Sequence, residues 1–134
     1  MDLNTVIARD IMSTEISTTT PMEKVSTAEI IMIKKNIGGL PVVSPETKQL
    51  IGILTQRDIQ LSRMIIGTSV FHVDDLYSKN PVKAQLDELM PSIIKKMNDF
   101  NIERIPVVDS GNLVQGIIVT QDIISLLGKY FATD

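Results

Sequence analysis

Apolar positions along this chain follow helical spacing and strand-like runs by turns, and the succession occurs twice. Leu86, Leu89, Met90, Ile93, Ile94, Met97 and Phe100 recur at helical intervals and mark one face of an α-helix. Asp87 is a candidate N-cap for it, and Pro91 is tolerated because it falls in or near the first turn. Residues 22–36 read as an earlier helix with Val25, Ala28, Ile30, Ile31, Met32 and Ile33 on several sides, which predicts deeper burial or a second contact surface. A short extended segment precedes each helix, at 16–20 and 81–85, and a Pro-Val-Val strand follows each, at 41–43 and 106–108. Turns at 44–49 and 109–112 lead into second strands at 50–54 and 113–118, then closing helices at 56–66 and 121–131.

The residues themselves repeat. Ile37-Gly38-Gly39-Leu40-Pro41-Val42-Val43 returns 65 positions later as Ile102-Glu103-Arg104-Ile105-Pro106-Val107-Val108. Gly52-Ile53-Leu54-Thr55-Gln56-Arg57-Asp58 returns 64 positions later as Gly116-Ile117-Ile118-Val119-Thr120-Gln121-Asp122. Asp10-Ile11-Met12-Ser13 matches Asp75-Leu76-Tyr77-Ser78. A unit of about 60 residues is duplicated, each copy reading strand–helix–strand–strand–helix, an α+β architecture. Gly67-Thr68-Ser69 is the natural linker. Units this small have marginal cores, so the halves are expected to share one.

Composition narrows the chemistry. Hydrophobic residues at 43% and charged residues at 22% are those of a soluble globular protein. A net charge of −3 disfavours nucleic acid, and Lys34-Lys35 and Lys95-Lys96 read as solvated helix faces. That balance still permits a small anion held by one or two local cations. The chain has no cysteine and one histidine, His72, which reads as a surface or capping residue, so no metal site and no catalytic triad is expected. No P-loop, GxGxxG or GxSxG is present, and an enzyme is not expected. Apolar runs are too short to span a membrane, and Met1-Asp2-Leu3-Asn4 does not open a secretory signal, so a cytoplasmic location is expected.

The segment Gly52 to Asp58 reads as a strand entering a helix through a glycine-led turn. A helix N-terminus suits phosphate, Thr55 could add a hydroxyl donor, and Arg57 could reach an anion. Asp58 is an acceptor-only group suited to the two hydroxyls of a ribose. The same Thr-x-x-Asp is equally a capping box, in which Thr55 and Asp58 serve only the helix.

The run from Asp10-Ile11-Met12 through Ile37–Val43 to Gly52–Asp58 resembles a cystathionine-β-synthase (CBS) domain, and the two copies together resemble a CBS pair over residues 5–128. The resemblance implies two β-α-β-β-α repeats, 5–66 and 70–131, related by pseudo-two-fold symmetry and packed as one compact module. It also implies clefts that bind adenosine-containing ligands, with Thr55 on phosphate, Asp58 on ribose, and Arg104 of the opposite repeat on phosphate. The copies differ at these positions. Val119 replaces the hydroxyl, Gln121 matches Arg57, and Gly39 matches Arg104. One competent site is therefore expected, with Thr55, Arg57, Asp58 and Arg104. A weaker second site would have Thr120, Asp122 and Gly39. The two arginines favour AMP, ADP or ATP over S-adenosylmethionine. The expected role is a regulatory sensor acting on a separate protein effector and assembling as a homodimer. The alternative is a ligand-independent dimerisation module using Ile30, Ile31, Met32, Ile33 and the apolar runs at 64–66 and 123–127.

Overall fold

Two asparagines end the two amphipathic helices in the same way. Asn36 (φ 53) and Asn101 (φ 52) adopt the left-handed conformation that stops a helix, a geometry asparagine tolerates. The N–H groups of Ile37 and Ile102 then donate back to the Met32 and Met97 carbonyls, both at 3.0 Å. The computed structural model describes residues 2–66 and 71–132, so the expected linker at 67–69 lies outside the described residues. The elements are α1 (Ala8–Ile11), α2 (Val25–Lys35), β1 (Gly39–Val43), β2 (Leu50–Thr55), α3 (Gln56–Ile66), β3 (Ser78–Lys79), β4 (Ala84–Gln85), α4 (Met90–Asp99), β5 (Arg104–Val108), β6 (Val114–Val119) and α5 (Thr120–Ala132). Short 3-10 turns occupy Leu3–Thr5 and Val73–Asp75.

Asp87 is not the N-cap of α4. That helix starts at Met90 with Leu89 as its cap residue, and Pro91 sits in the first turn. Proline has no N–H to give, so the helix cannot extend a turn upstream of it. The preceding residues instead form a turn in which the Glu88 N–H donates to the Gln85 carbonyl (3.1 Å). The first helix likewise starts at Val25 rather than 22, after the Glu23 N–H closes onto Thr20 (3.2 Å). Its several-sided apolar pattern resolves into a buried face, Ala28 and Met32, and an exposed one, Ile30 and Ile33.

The chain forms two compact units, residues 17–81 and residues 1–16 with 82–134. Each holds a three-stranded sheet, ordered β1-β2-β3 in the first and β4-β5-β6 in the second. The central hairpins share one register. Gly39 to Val42 pair with Thr55 to Gly52, Arg104 to Val107 pair with Val119 to Gly116, and a bulge follows at Val42/Val43 and at Val107/Val108.

The compact unit and the sequence repeat are different objects. The leader before the first repeat packs on the hairpin of the second, and the leader before the second packs on the hairpin of the first. Ser13 exchanges both backbone hydrogen bonds with Ile117 of β6 (2.9 and 3.0 Å), and Ser78 pairs with Ile53 of β2. The seats match bond for bond. The Ala8 N–H donates to the Glu88 carbonyl as Val73 does to Glu23, both at 2.9 Å. The Met90 N–H donates to Val6 (2.8 Å) as Val25 does to Phe71 (2.9 Å).

This exchange explains the glycines of the repeated motif. Gly52 does not lead a turn. It lies inside β2, paired with Val42 on one side and Lys79 on the other. A Cβ there would run into the Tyr77 ring and stand 2.5 Å from the Ser78 carbonyl oxygen. At Gly116 it would meet the Met12 sulfur at 2.6 Å and the Ser13 carbonyl oxygen at 2.8 Å. The glycines let a leader backbone lie against the strand.

The buried side chains form two clusters, not one shared core. Met32, Leu40, Val42, Leu54, Ile59 and Val73 centre one, and Ala8, Ile93, Ile105, Val107 and Ile118 the other. Sharing takes another form, since a leader completes each cluster. Phe71, Val73 and Tyr77 contribute to the first, and Ala8, Ile11 and Met12 to the second.

Glu88 braces the turn that seats α1. Its carboxylate accepts from Ser92 Oγ, Lys96 Nζ and the Gln85 N–H, and Lys96 Nζ also donates to the Lys83 carbonyl. Burial pushes the Glu88 carboxyl up, but the bonds from Lys96, Ser92 and Gln85 outweigh it and hold it below the ordinary glutamate value of 4.5.

Replacing Gly52 or Gly116 by alanine is expected to destabilise the fold by about 2–3 kcal/mol, through strain and leader displacement. Gly128 is the control: a Cβ there would meet nothing within 4 Å, and alanine is expected to raise stability slightly. Urea unfolding of the three variants measures the difference. Because the folded Glu88 carboxyl is depressed, its contribution is present above the unfolded value and is lost as pH falls through the lower folded one. Glu88→Gln is expected to lose about 1 kcal/mol at pH 7 and to converge on wild type near pH 3. Melting temperatures across pH 3–7 check this.

Candidate functional site

The strand-to-helix junctions carry the residues singled out by the sequence. At the end of β2, the Thr55 N–H donates to Asp58 Oδ2 (3.0 Å) and the Asp58 N–H donates to Thr55 Oγ1 (3.1 Å). This is a reciprocal capping box, and it forms because two early donors of α3 lack helical partners. The box leaves chemistry unused. Thr55 Oγ1 accepts and so keeps its own proton, and Asp58 spends one oxygen of two. Among the described residues neither the Thr55 hydroxyl proton nor Asp58 Oδ1 has a partner. Both residues are half-buried at the helix start, and both are held in place by the helix they cap.

The junction between β6 and α5 is half of this arrangement. Asp122 Oδ2 accepts the Val119 N–H (2.8 Å), but Val119 has no hydroxyl to return. Thr120 does not replace it, because its hydroxyl donates to the Glu103 carbonyl (3.2 Å). Gln121 lies along the helix with its amide on Ser125 (3.3 Å). Asp122 thus caps the helix start with one oxygen, as Asp58 does, and what this junction lacks is the hydroxyl.

The cations divide between the units. Arg57 follows Thr55 on the first turn of α3 and is exposed. Arg104 opens β5 directly across from Val119, half-buried, in the other unit. Neither guanidinium has a hydrogen bond or ion pair among the described residues, although Asp99 and Glu103 are close to Arg104 in sequence. Asp99 is taken by Lys95 (2.7 Å). Gly39 opens β1 directly across from Thr55, within the same unit. Three of the four paired lysines have contacts of their own: Lys35 donates to Ser17, Lys95 to Asp99, and Lys96 to Glu88.

His72 serves the leader through its backbone, its N–H donating to Asp75 Oδ2 (3.0 Å). Among the described residues no group of three His, Cys, Asp or Glu side chains could hold a metal ion. No helix among them is long and apolar enough to cross a membrane. Sequence reasoning misses the seat that Tyr77 and Ser78 occupy beside Gly52. The match of Tyr77-Ser78 to Met12-Ser13 is the available signal, but a linear repeat does not say which hairpin a leader joins.

The sequence matches the model of the CBS domain twice, at residues 8–62 and 73–129. The chain belongs to the CBS domain family. It is 35% identical over 123 residues to a homoserine O-acetyltransferase of Methanococcus vannielii, an alignment covering 90% of this chain and 25% of that enzyme. The chain thus spans about a quarter of the length of this relative. The fold superposes on the CBS domain pair of protein MJ0100, a structure with 5′-methylthioadenosine and S-adenosyl-L-methionine, with a TM-score of 0.85 and 30% identity, covering 93% of this chain and 98% of that one. Protein CBSX2, solved with AMP, matches at a TM-score of 0.79 and 20% identity, covering 92% and 97%, which shows a common fold alone.

Proposed function

We propose that this CBS pair is a regulatory, non-catalytic module that binds one adenosine-containing nucleotide of the AMP, ADP or ATP class and signals to a separate protein. The observation that supports it best is the reciprocal box at Thr55 and Asp58. It positions a hydroxyl donor and a carboxylate oxygen without consuming either. In this reading Thr55 donates to a phosphate oxygen, Asp58 Oδ1 accepts from a ribose hydroxyl, and Arg57 and Arg104 supply positive charge. Arginines without carboxylate partners are available to a phosphate, and they favour a phosphorylated nucleoside over a thioether one. The MJ0100 pair, bound to two thioether or sulfonium adenosines, supports the adenosine part of the reading and supplies the competing ligands for its test. Thr120, Asp122 and Gly39 would form at most a weak second site, because Val119 has no hydroxyl, the Thr120 hydroxyl is spent on the Glu103 carbonyl and Gly39 has no side chain.

Calorimetric titration with AMP, ADP, ATP, S-adenosylmethionine and 5′-methylthioadenosine tests this. About one nucleotide per chain is expected, with binding weakened at least about tenfold in Asp58→Asn and in Thr55→Val, the loss of one or two polar contacts. Asparagine can keep the cap acceptor, and valine reproduces the junction found at Val119, so folding is retained. Two equal sites per chain would overturn the inequivalence, and binding of the thioether ligands alone would overturn the phosphate assignment.

A second reading, ligand-independent dimerisation, is favoured by one feature. Ile33, Met64 and Ile65 on α2 and α3 are 67%, 82% and 81% exposed, more apolar surface than one isolated side chain presents. Sedimentation velocity at micromolar concentration without ligand checks it. A dimer that Met64→Lys and Ile65→Lys together dissociate is the expected result, and a monomeric wild type would remove this reading.

A further inference from the structure

We propose that the second leader, residues 71–79, is the element through which occupation of the Thr55–Asp58 end is transmitted along the chain. This rests on the ligand reading above and assigns its regulation to a named segment.

Three observations carry it. First, the box is flanked by Leu54 and Ile59, which are 0% and 1% exposed, and both belong to the cluster that Phe71, Val73, Leu76 and Tyr77 complete. The box and the leader are thus two sides of one packed group. Second, the leader lies on β2 itself, with Ser78 opposite Ile53 and Lys79 opposite Gly52, two and three residues before Thr55. Third, the leader is anchored at its start, where the Val73 N–H donates to the Glu23 carbonyl (2.9 Å) and the Asp74 N–H to that of Pro21 (2.8 Å), and only its far end, next to the box, is lightly paired. The paired strand has two residues, both exposed, and beyond it Asn80 (φ 55) and Pro81 lead within five residues to β4 of the other unit.

A short exposed strand docked on a buried cluster belongs to the low-stability end of local opening. A ligand that restrains Thr55 and Asp58 restrains Leu54 and Ile59, and so favours the docked leader. By linkage, a loosened leader weakens the ligand by the same factor. The first leader is the internal control. It packs on β6, whose junction lacks the threonine hydroxyl.

Hydrogen exchange of the full chain with and without saturating AMP, with binding confirmed by calorimetry on the same sample, tests the assignment. Amides in residues 71–79 are expected to exchange about fivefold more slowly with AMP, the low end of ordinary coupling, while those in residues 5–13 stay unchanged. Tyr77→Leu is expected to weaken AMP by a similar factor, and if that variant fails to fold the exchange comparison decides. AMP bound with no change in 71–79, or with equal slowing of 5–13, overturns this assignment and leaves the ligand reading standing. If AMP does not bind, the comparison is made with whichever of ADP and ATP does, and binding of none of the three overturns both.

Discussion

The contact on which the rest of the structure depends is backbone against backbone, a leader strand lying on a glycine. Gly52 and Gly116 sit mid-strand with carbonyl oxygens of Ser78 and Ser13 closer than any Cβ could tolerate. That closeness lets each leader share the strand's pairing and drop its apolar residues into the cluster beneath. Without it, a hairpin and one helix would have to bury their apolar faces alone, and a half-chain of this size has little core to do so. The exchange of leaders makes each unit a product of both repeats. The duplication is therefore structural as well as historical, since neither copy carries its own complete core.

The same strands end in the candidate ligand contacts, so fold and function meet at one junction. A helix start needs acceptors for its first N–H groups, and Thr55 and Asp58 supply them. Capping and ligand binding are usually alternatives in reading such a motif. Here they are compatible, because a hydroxyl that accepts can still donate and a carboxylate has two oxygens. The helix supplies the order that a binding group needs, and the ligand would use what capping leaves over. At Val119 and Asp122 the reciprocal hydroxyl bond is missing and only the carboxylate half of the box remains.

Family membership places this chain among modules that recur inside much larger proteins. The homoserine O-acetyltransferase relative carries a matching region in a quarter of its length, so its name says nothing direct about chemistry done by these residues. What the chain does hold is a pair of unequal junctions, each in a unit braced by surface ion pairs. Arg63 grips Glu29 between α3 and α2, and Lys96 grips Glu88 beside the first leader's seat.

The sequence by itself determined the elements, their order, their duplication and the family. Helical spacing placed α4 and strand runs placed the hairpins, because periodicity is local and each residue reports its own face. It also identified Thr55 and Asp58, since a capping box spans only four residues. Helix starts are less legible: at Asp87 and near residue 22 a turn, and Pro91 in one case, outweigh an attractive capping residue or apolar run. Only the tertiary structure decided which hairpin each leader joins, why Gly52 is a glycine, and that the Thr55 proton and Asp58 Oδ1 are left over by the cap. Those facts depend on atoms brought together from positions such as Ser13 and Ile117, and no local pattern encodes which distant strand a backbone will meet.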